Sequence, residues 1–193
     1  VVIGGPMMGR VAAGLDEAVT KTTSGLLVLP QDNAVVRYMT RSRTSWVRRG
    51  ISTCDQCRDC TDLCPRYLLG HELQPHEVMR AVNYGLDRPA SQVTAAVLCC
   101  ECRLCEAYAC PLELSPMAYY VGIKEELWAE GWVNEVHKRT DLTPHLAREY
   151  RLVPTKRLIA RLGLSEWEHQ ACLLDRSNHL PAKVTLRLDQ HIG

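Results

Sequence analysis

Over the first fifty residues the apolar side chains come in short blocks, broken by glycine, proline and small polar residues. VVIGGP at the start and GLLVLP (Gly25–Pro30) read as strands. NAVVRYM (Asn33–Met39), bounded by Asp and Asn, reads the same way. From Cys54 onward the spacing becomes helical. QPHEVMRAVNYG places Pro75 in a first turn, Val78, Met79 and Val82 at helical intervals, and Gly85 as a C-terminal stop. RPASQVTAAVL predicts a second helix. LSPMAYYVGIKEELWAEG is the clearest of all, with Ser115 as cap, Pro116 at the first helical position, Val121, Leu127 and Trp128 as its apolar surface, and Gly131 as its end. LTPHLAREY and PTKRLIARLG predict two shorter helices, and AKVTLRL (Ala182–Leu188) returns to strand. The fold class this predicts is α+β, mainly helical, with short β segments at both ends.

Composition narrows the function more than the fold. The chain is 46% hydrophobic and 23% charged, values of a soluble globular protein. A net charge of +1 argues against nucleic-acid binding and against a membrane surface, both of which favour a basic excess. No apolar run approaches the roughly 18 residues of a membrane span, and no signal peptide can be read. The first and last runs both break off in strand-like sequence, so the chain is expected to be a portion of a longer polypeptide.

The ten cysteines change the picture. Nine lie in two short runs, each ending in Cys-Pro, and their two-residue intervals suit metal ligation better than disulfides. A reducing, cytoplasmic setting follows. The first run is Cys54-x2-Cys57-x2-Cys60-x3-Cys64-Pro65, the spacing of bacterial ferredoxins with [4Fe–4S] clusters. Three thiolates on one tight loop serve three irons of a cubane. The fourth, beyond the loop's reach, ligates the other cluster of a pair. The second run is then Cys99-x2-Cys102-x2-Cys105-x4-Cys110-Pro111. Starting it at Cys100 leaves only one residue before Cys102, so Cys100 is expected to be a buried or cluster-adjacent thiol. The x4 interval requires the last turn to bulge by one residue. The expected ligand sets are crossed: Cys54, Cys57, Cys60 and Cys110 around one [4Fe–4S] cluster, and Cys99, Cys102, Cys105 and Cys64 around the other. Zinc is the alternative, in a structural or assembly module without redox activity, but zinc sites usually pair two separated C-x2-C hooks. Cys172 stands alone and reads as an ordinary buried thiol. Residues 51–132 are thus expected to form a helical two-cluster ferredoxin domain. Residues 1–50 would be the end of a preceding α/β or SLBB-linked region. Residues 133–193 would be a helical linker leading into a C-terminal, barrel-sandwich-like β segment.

With those residues placed, the chain resembles a known family. GGPMMG (Gly4–Gly9), TKTTSGLLVLP (Thr20–Pro30) and the two cysteine runs occur in this order in the C-type subunits of Rnf electron-transport complexes and their relatives. CPRYLLGHELQPHEVMRA (Cys64–Ala81), CEAYACPLELSP (Cys105–Pro116), RLIARLGL and the terminal QHIG are similar to one branch, the flavin and iron–sulfur cobalamin reductases of propanediol-utilisation microcompartments. The resemblance implies an NADH- and flavin-dependent oxidoreductase. FMN and NADH would bind an upstream domain of the same polypeptide, and single electrons would pass through two [4Fe–4S] clusters to a corrinoid or other acceptor. It also implies a cobalamin adenosyltransferase or an acidic electron-transfer protein as partner, and residence inside a bacterial microcompartment. A true Rnf C-type subunit of a membrane-bound ferredoxin:NAD oxidoreductase is the nearest alternative. The chain contains no D-x-H-x-x-G corrinoid-binding sequence.

The remaining motifs have plainer readings. GGPMMG fails the G-x-G-x-x-G pattern, and Pro6 lacks an N–H that a phosphate cradle needs, so its glycines are expected to allow a tight turn and its Met7 and Met8 to pack. Arg37, Arg41, Arg43, Arg48 and Arg49 form a basic stretch that reads as a solvated face, or as a dock for an acidic partner. His71 and His76 are not needed as ligands and read as local caps or surface residues. Glu125 and Glu126 read as solvated. No constellation of catalytic type is present.

Overall fold

The computed structural model describes residues 1–132 and 141–165. Three two-residue strands open the fold: β1 (Val2–Ile3), β2 (Arg10–Val11) and β3 (Leu26–Leu27). They form one antiparallel sheet of order β2-β1-β3, with Val2 opposite both Val11 and Leu27. Gly9 permits the turn between the first two strands. A Cβ there would lie 2.5 Å from the Gly5 carbonyl oxygen and 2.6 Å from that of Ile3, so only glycine fits. Eight helices follow among the described residues: α1 (Ala34–Thr40), α2 (Arg43–Thr53), α3 (Asp59–Asp62), α4 (Pro65–Leu68), α5 (Pro75–Tyr84), α6 (Ala90–Thr94), α7 (Pro116–Ala129) and α8 (Thr155–Arg161).

NAVVRYM is helix α1, not the expected strand. The Asn33 side chain caps it by accepting the Val35 N–H at 2.9 Å. Val35, Val36 and Met39 then fall on one helical face against the small sheet. Packing and the cap override the β-branched preference of the run. Helix α5 runs as expected, ending at Gly85 with φ +62°. The segment before the second cysteine run is α6 continued by a tighter turn over Ala95–Leu98. Helix α7 has the expected cap and first proline, because Ser115 accepts the Ala118 N–H at 3.2 Å. Its buried surface is different, however. Met117, Ala118, Tyr119, Tyr120, Gly122 and Lys124 are inside, whereas Trp128 is 60% exposed. The N-terminal half of α7 is enclosed by α2, α5, α6 and the second cysteine run, so it is buried on more than one face. LTPHLAREY forms only a single tight turn, Leu146–Glu149, while Thr155–Arg161 is helical. The expected strand Ala182–Leu188 and Cys172 lie outside the described residues.

Two apolar cores result. The larger joins α5, the turn Ala95–Leu98 and α7 through Val78, Met79, Ala96, Leu98, Tyr119 and Tyr120, and it includes Cys64 and Cys110. Gly50 in α2 makes room for it, since a Cβ there would overlap the Tyr119 hydroxyl, which donates to Asn83 at 2.8 Å. The smaller core packs Val2, Val35 and Leu162 around Ala107. The second cysteine run therefore sits between both cores.

Candidate metal centre

Each cysteine run builds the same backbone. In the first, Gln56 and Arg58 flank Cys57 with φ of 62° and 71°; in the second, Glu101 and Arg103 flank Cys102 with φ of 54° and 59°. A left-handed conformation costs a non-glycine residue roughly 1–2 kcal/mol, so its appearance at matching places in two runs is a designed feature rather than chance. Alternation of right- and left-handed residues turns successive N–H groups to one side, producing the concave nest found around anions and iron–sulfur clusters. The repeat also sets the register. Cys99, Cys102 and Cys105 occupy the places of Cys54, Cys57 and Cys60, and Cys100 that of Asp55.

Backbone N–H groups two residues on lie near the thiols and favour their ionised forms: that of Asp59 at Cys57, Glu101 at Cys99, Leu104 at Cys102, Arg66 at Cys64 and Leu112 at Cys110. The two Cys-Pro steps differ. Pro65 opens helix α4, with Cys64 at its cap, so that the Arg66 and Tyr67 N–H groups meet the Cys64 sulfur. After Cys110 the chain turns through Glu113, with φ +52°, and the Leu114 N–H meets the Cys110 sulfur at 3.4 Å. The extra residue of the x4 interval is absorbed as one wide helical turn over Cys105–Ala109, closed by the Cys110 N–H on the Cys105 carbonyl at 3.2 Å. Such insertions are frequent at functional sites. This is the bulge that the spacing required.

The structure brings the thiols into two adjoining groups. A small cavity of about 20 Å³ is lined by Cys64, Cys99, Cys100, Cys102 and Cys105, closed by Leu73, Met117 and Tyr120. On the other side, burial drives the Cys60 thiol far above its ordinary 9.0, and Cys110, Cys57 and Cys54 push it the same way. Burial pushes Cys99 up to about 12 and Cys102 to about 11. Cys105 is raised by burial, then by Glu106, Cys99, Cys60 and Cys64, so it feels both groups. Cys100 stands beside Cys102 and lines the cavity without occupying a repeated cysteine position. Among the described residues no three His, Cys, Asp or Glu side chains converge on a point that would hold one ion. In a cubane each thiolate binds its own iron, so thiols gathered in two adjoining groups suit iron–sulfur clusters.

Two charged side chains of the site carried no distinctive sequence pattern. Glu106, 1% exposed, accepts from Arg103 at 2.7 Å and from the Ser115 hydroxyl, joining the second run to the cap of α7. Lys124, 6% exposed, donates to the Cys99 carbonyl at 2.8 Å and pairs with Glu101. Its position one helical turn beyond the buried Tyr120 was the available sign. His76 meets the buried Thr61 hydroxyl at 2.7 Å, a local structural bond. Met7 packs against the smaller core, but Met8 is 66% exposed, contrary to the packing expected of it.

Residues 53–115 match the family described as "4Fe-4S dicluster domain". They are a 4Fe–4S dicluster domain. Around that domain the chain is similar to two curated proteins. It is 44% identical over 190 residues to "Cobalamin reductase PduS" of Salmonella typhimurium and 44% identical over 195 residues to that of Citrobacter freundii, covering 98% of this chain in each case. It spans 41% of the length of each. A more distant similarity, 26% over 164 residues, relates 82% of the chain to 30% of the C-type subunit of the "Ion-translocating oxidoreductase complex" of Buchnera aphidicola. No solved structure matches. The dicluster domain includes both cysteine runs, and among the described residues no helix is long and apolar enough to cross a membrane.

Proposed function

We propose that this chain is the two-cluster relay of a flavin-dependent oxidoreductase of the cobalamin-reductase kind. Cys54, Cys57, Cys60 and Cys110 would hold one cluster, and Cys99, Cys102, Cys105 and Cys64 the other. The observation that carries this reading is the repeated nest, with left-handed residues on both sides of Cys57 and again of Cys102. When bound, such clusters supply reversible storage of single electrons. The chain's own residues hold the thiolates apart, aim N–H groups at their sulfurs and exclude water, which together set the potentials.

The rest of the assignment rests on the relatives. NADH and FMN belong on an upstream flavin domain of the same polypeptide, to which residues 1–50 connect the cluster module of residues 51–132; residues 133–193 lead onward. The acceptor is a corrinoid, reached directly or through an adenosyltransferase or an acidic electron-transfer protein, within the cytoplasm or a bacterial microcompartment. The higher similarity to the reductases than to the ion-translocating protein favours this branch. Mixing the anaerobically purified chain with reduced FMN, then with aquacobalamin, tests it. The reading expects the brown absorbance to bleach on the first addition and to recover on the second as the corrinoid spectrum changes. A chain that bleaches but does not return its electrons to the corrinoid would lose the proposed acceptor.

A further inference from the structure

The two cysteine runs share a backbone but not an electrostatic setting. Around the second group, the Lys124 ammonium is buried, its side chain 8% exposed, and it donates to the Cys99 carbonyl at 2.8 Å. Its carboxylate partner Glu101 is 46% exposed. Water screens that carboxylate more than it screens the buried ammonium. The pair therefore leaves a net positive field on the cluster side, and Lys124 opposes the effect of burial on the Cys99 thiol. Arg66 lines the same cavity and acts in the same sense on Cys64. Glu106, the other buried charge here, is paired with Arg103 and bears on Cys105 in the opposite sense. The first group is charged differently, with the Arg161 guanidinium at 3.4 Å from the Cys110 carbonyl on one side and two carboxylates on the other. Asp55 accepts the Cys57 N–H at 3.2 Å, and Asp55 and Asp59 stand beside Cys57. Asp55 also bears on Cys110.

We infer that Lys124 is a positioning residue that raises the potential of the cluster held by Cys99, Cys102, Cys105 and Cys64. This rests on the ligand assignment proposed above. Reduction of a cluster adds one negative charge. A fixed cation nearby favours the reduced form, and nearby carboxylates disfavour it. The step is the gain of one electron by that cluster. The cluster is reduced, a reduced flavin is the class of donor that is oxidised, and no bond or proton changes at Lys124.

An EPR-monitored redox titration of the anaerobically purified chain, with iron assayed alongside, tests the inference. In the unaltered chain two waves are expected. Lys124→Met should move one of them to lower potential, leave the other in place and retain the iron, while Lys124→Arg should restore the original position. Full iron with both waves unmoved, or with a wave moved to higher potential, would overturn the role of Lys124. Should Lys124→Met lose iron, Glu101→Gln decides, since removal of the counter-charge should raise one wave; unmoved or lowered waves refute the idea. Absence of iron from the unaltered chain would instead sink the ligand assignment beneath it.

Discussion

At the scale of single residues, the proposed ligand sets are crossed, so the two Cys-Pro cysteines would swap places. Cys64→Ala should cost the signal of the cluster held by Cys99, Cys102 and Cys105, and Cys110→Ala that of the cluster held by Cys54, Cys57 and Cys60. Cys100→Ser should leave about eight irons per chain, the number two cubanes require. Iron assay with EPR on the three variants checks this, and an uncrossed pattern of loss would contradict it. The burial that lifts Cys99 to about 12 and Cys102 to about 11 also fixes a pH dependence. Without metal, thiols that keep their protons past the ordinary 9.0 lend the fold stability below about pH 9, lost as pH rises through those values. With metal, the thiols have released those protons, and protons compete with iron more strongly as pH falls. Iron release to a chelator should therefore be faster near about pH 6 than near about pH 8, and an unchanged or reversed rate would contradict the account.

At the scale of elements, the wide turn Cys105–Ala109 is held by Glu106, which ties Arg103 to the Ser115 cap of α7. Glu106→Ala leaves a largely buried guanidinium without its partner and should destabilise the loaded chain by about 3 kcal/mol, with Glu106→Gln costing less. Thermal unfolding followed by circular dichroism measures both, and equal losses would show that the charge is immaterial. Elements whose punctuation was explicit were legible in the sequence: Pro75 and Gly85 bounded α5, Ser115 and Pro116 opened α7, and the x4 interval announced its bulge. NAVVRYM was not, because a side-chain cap and contacts with strands distant in the chain decided its conformation. Nor was the buried face of α7, whose enclosure on several sides leaves no single apolar stripe. The roles of Glu106 and Lys124 depend on partners that only the folded chain brings together.

At the scale of the whole molecule, the second cysteine run lies between two cores, with Cys64 and Cys110 inside the larger and Ala107 inside the smaller. Arg161 of α8 reaches over to the carbonyls of Tyr108 at 2.8 Å and Cys110 at 3.4 Å, closing the C-terminal side of the described fold onto the site. The metal centre is in this sense the middle of the structure. The repeated nest, the crossed thiols and the dicluster domain make one central claim, that the chain carries two cubanes. Iron and zinc content of the anaerobically purified chain, with the EPR spectrum of its dithionite-reduced form, tests that claim most directly. About eight irons per chain and a spin-coupled spectrum from two neighbouring clusters are expected. Stoichiometric zinc without a paramagnetic signal would contradict it, and about four irons would show that only one of the two runs builds a cluster.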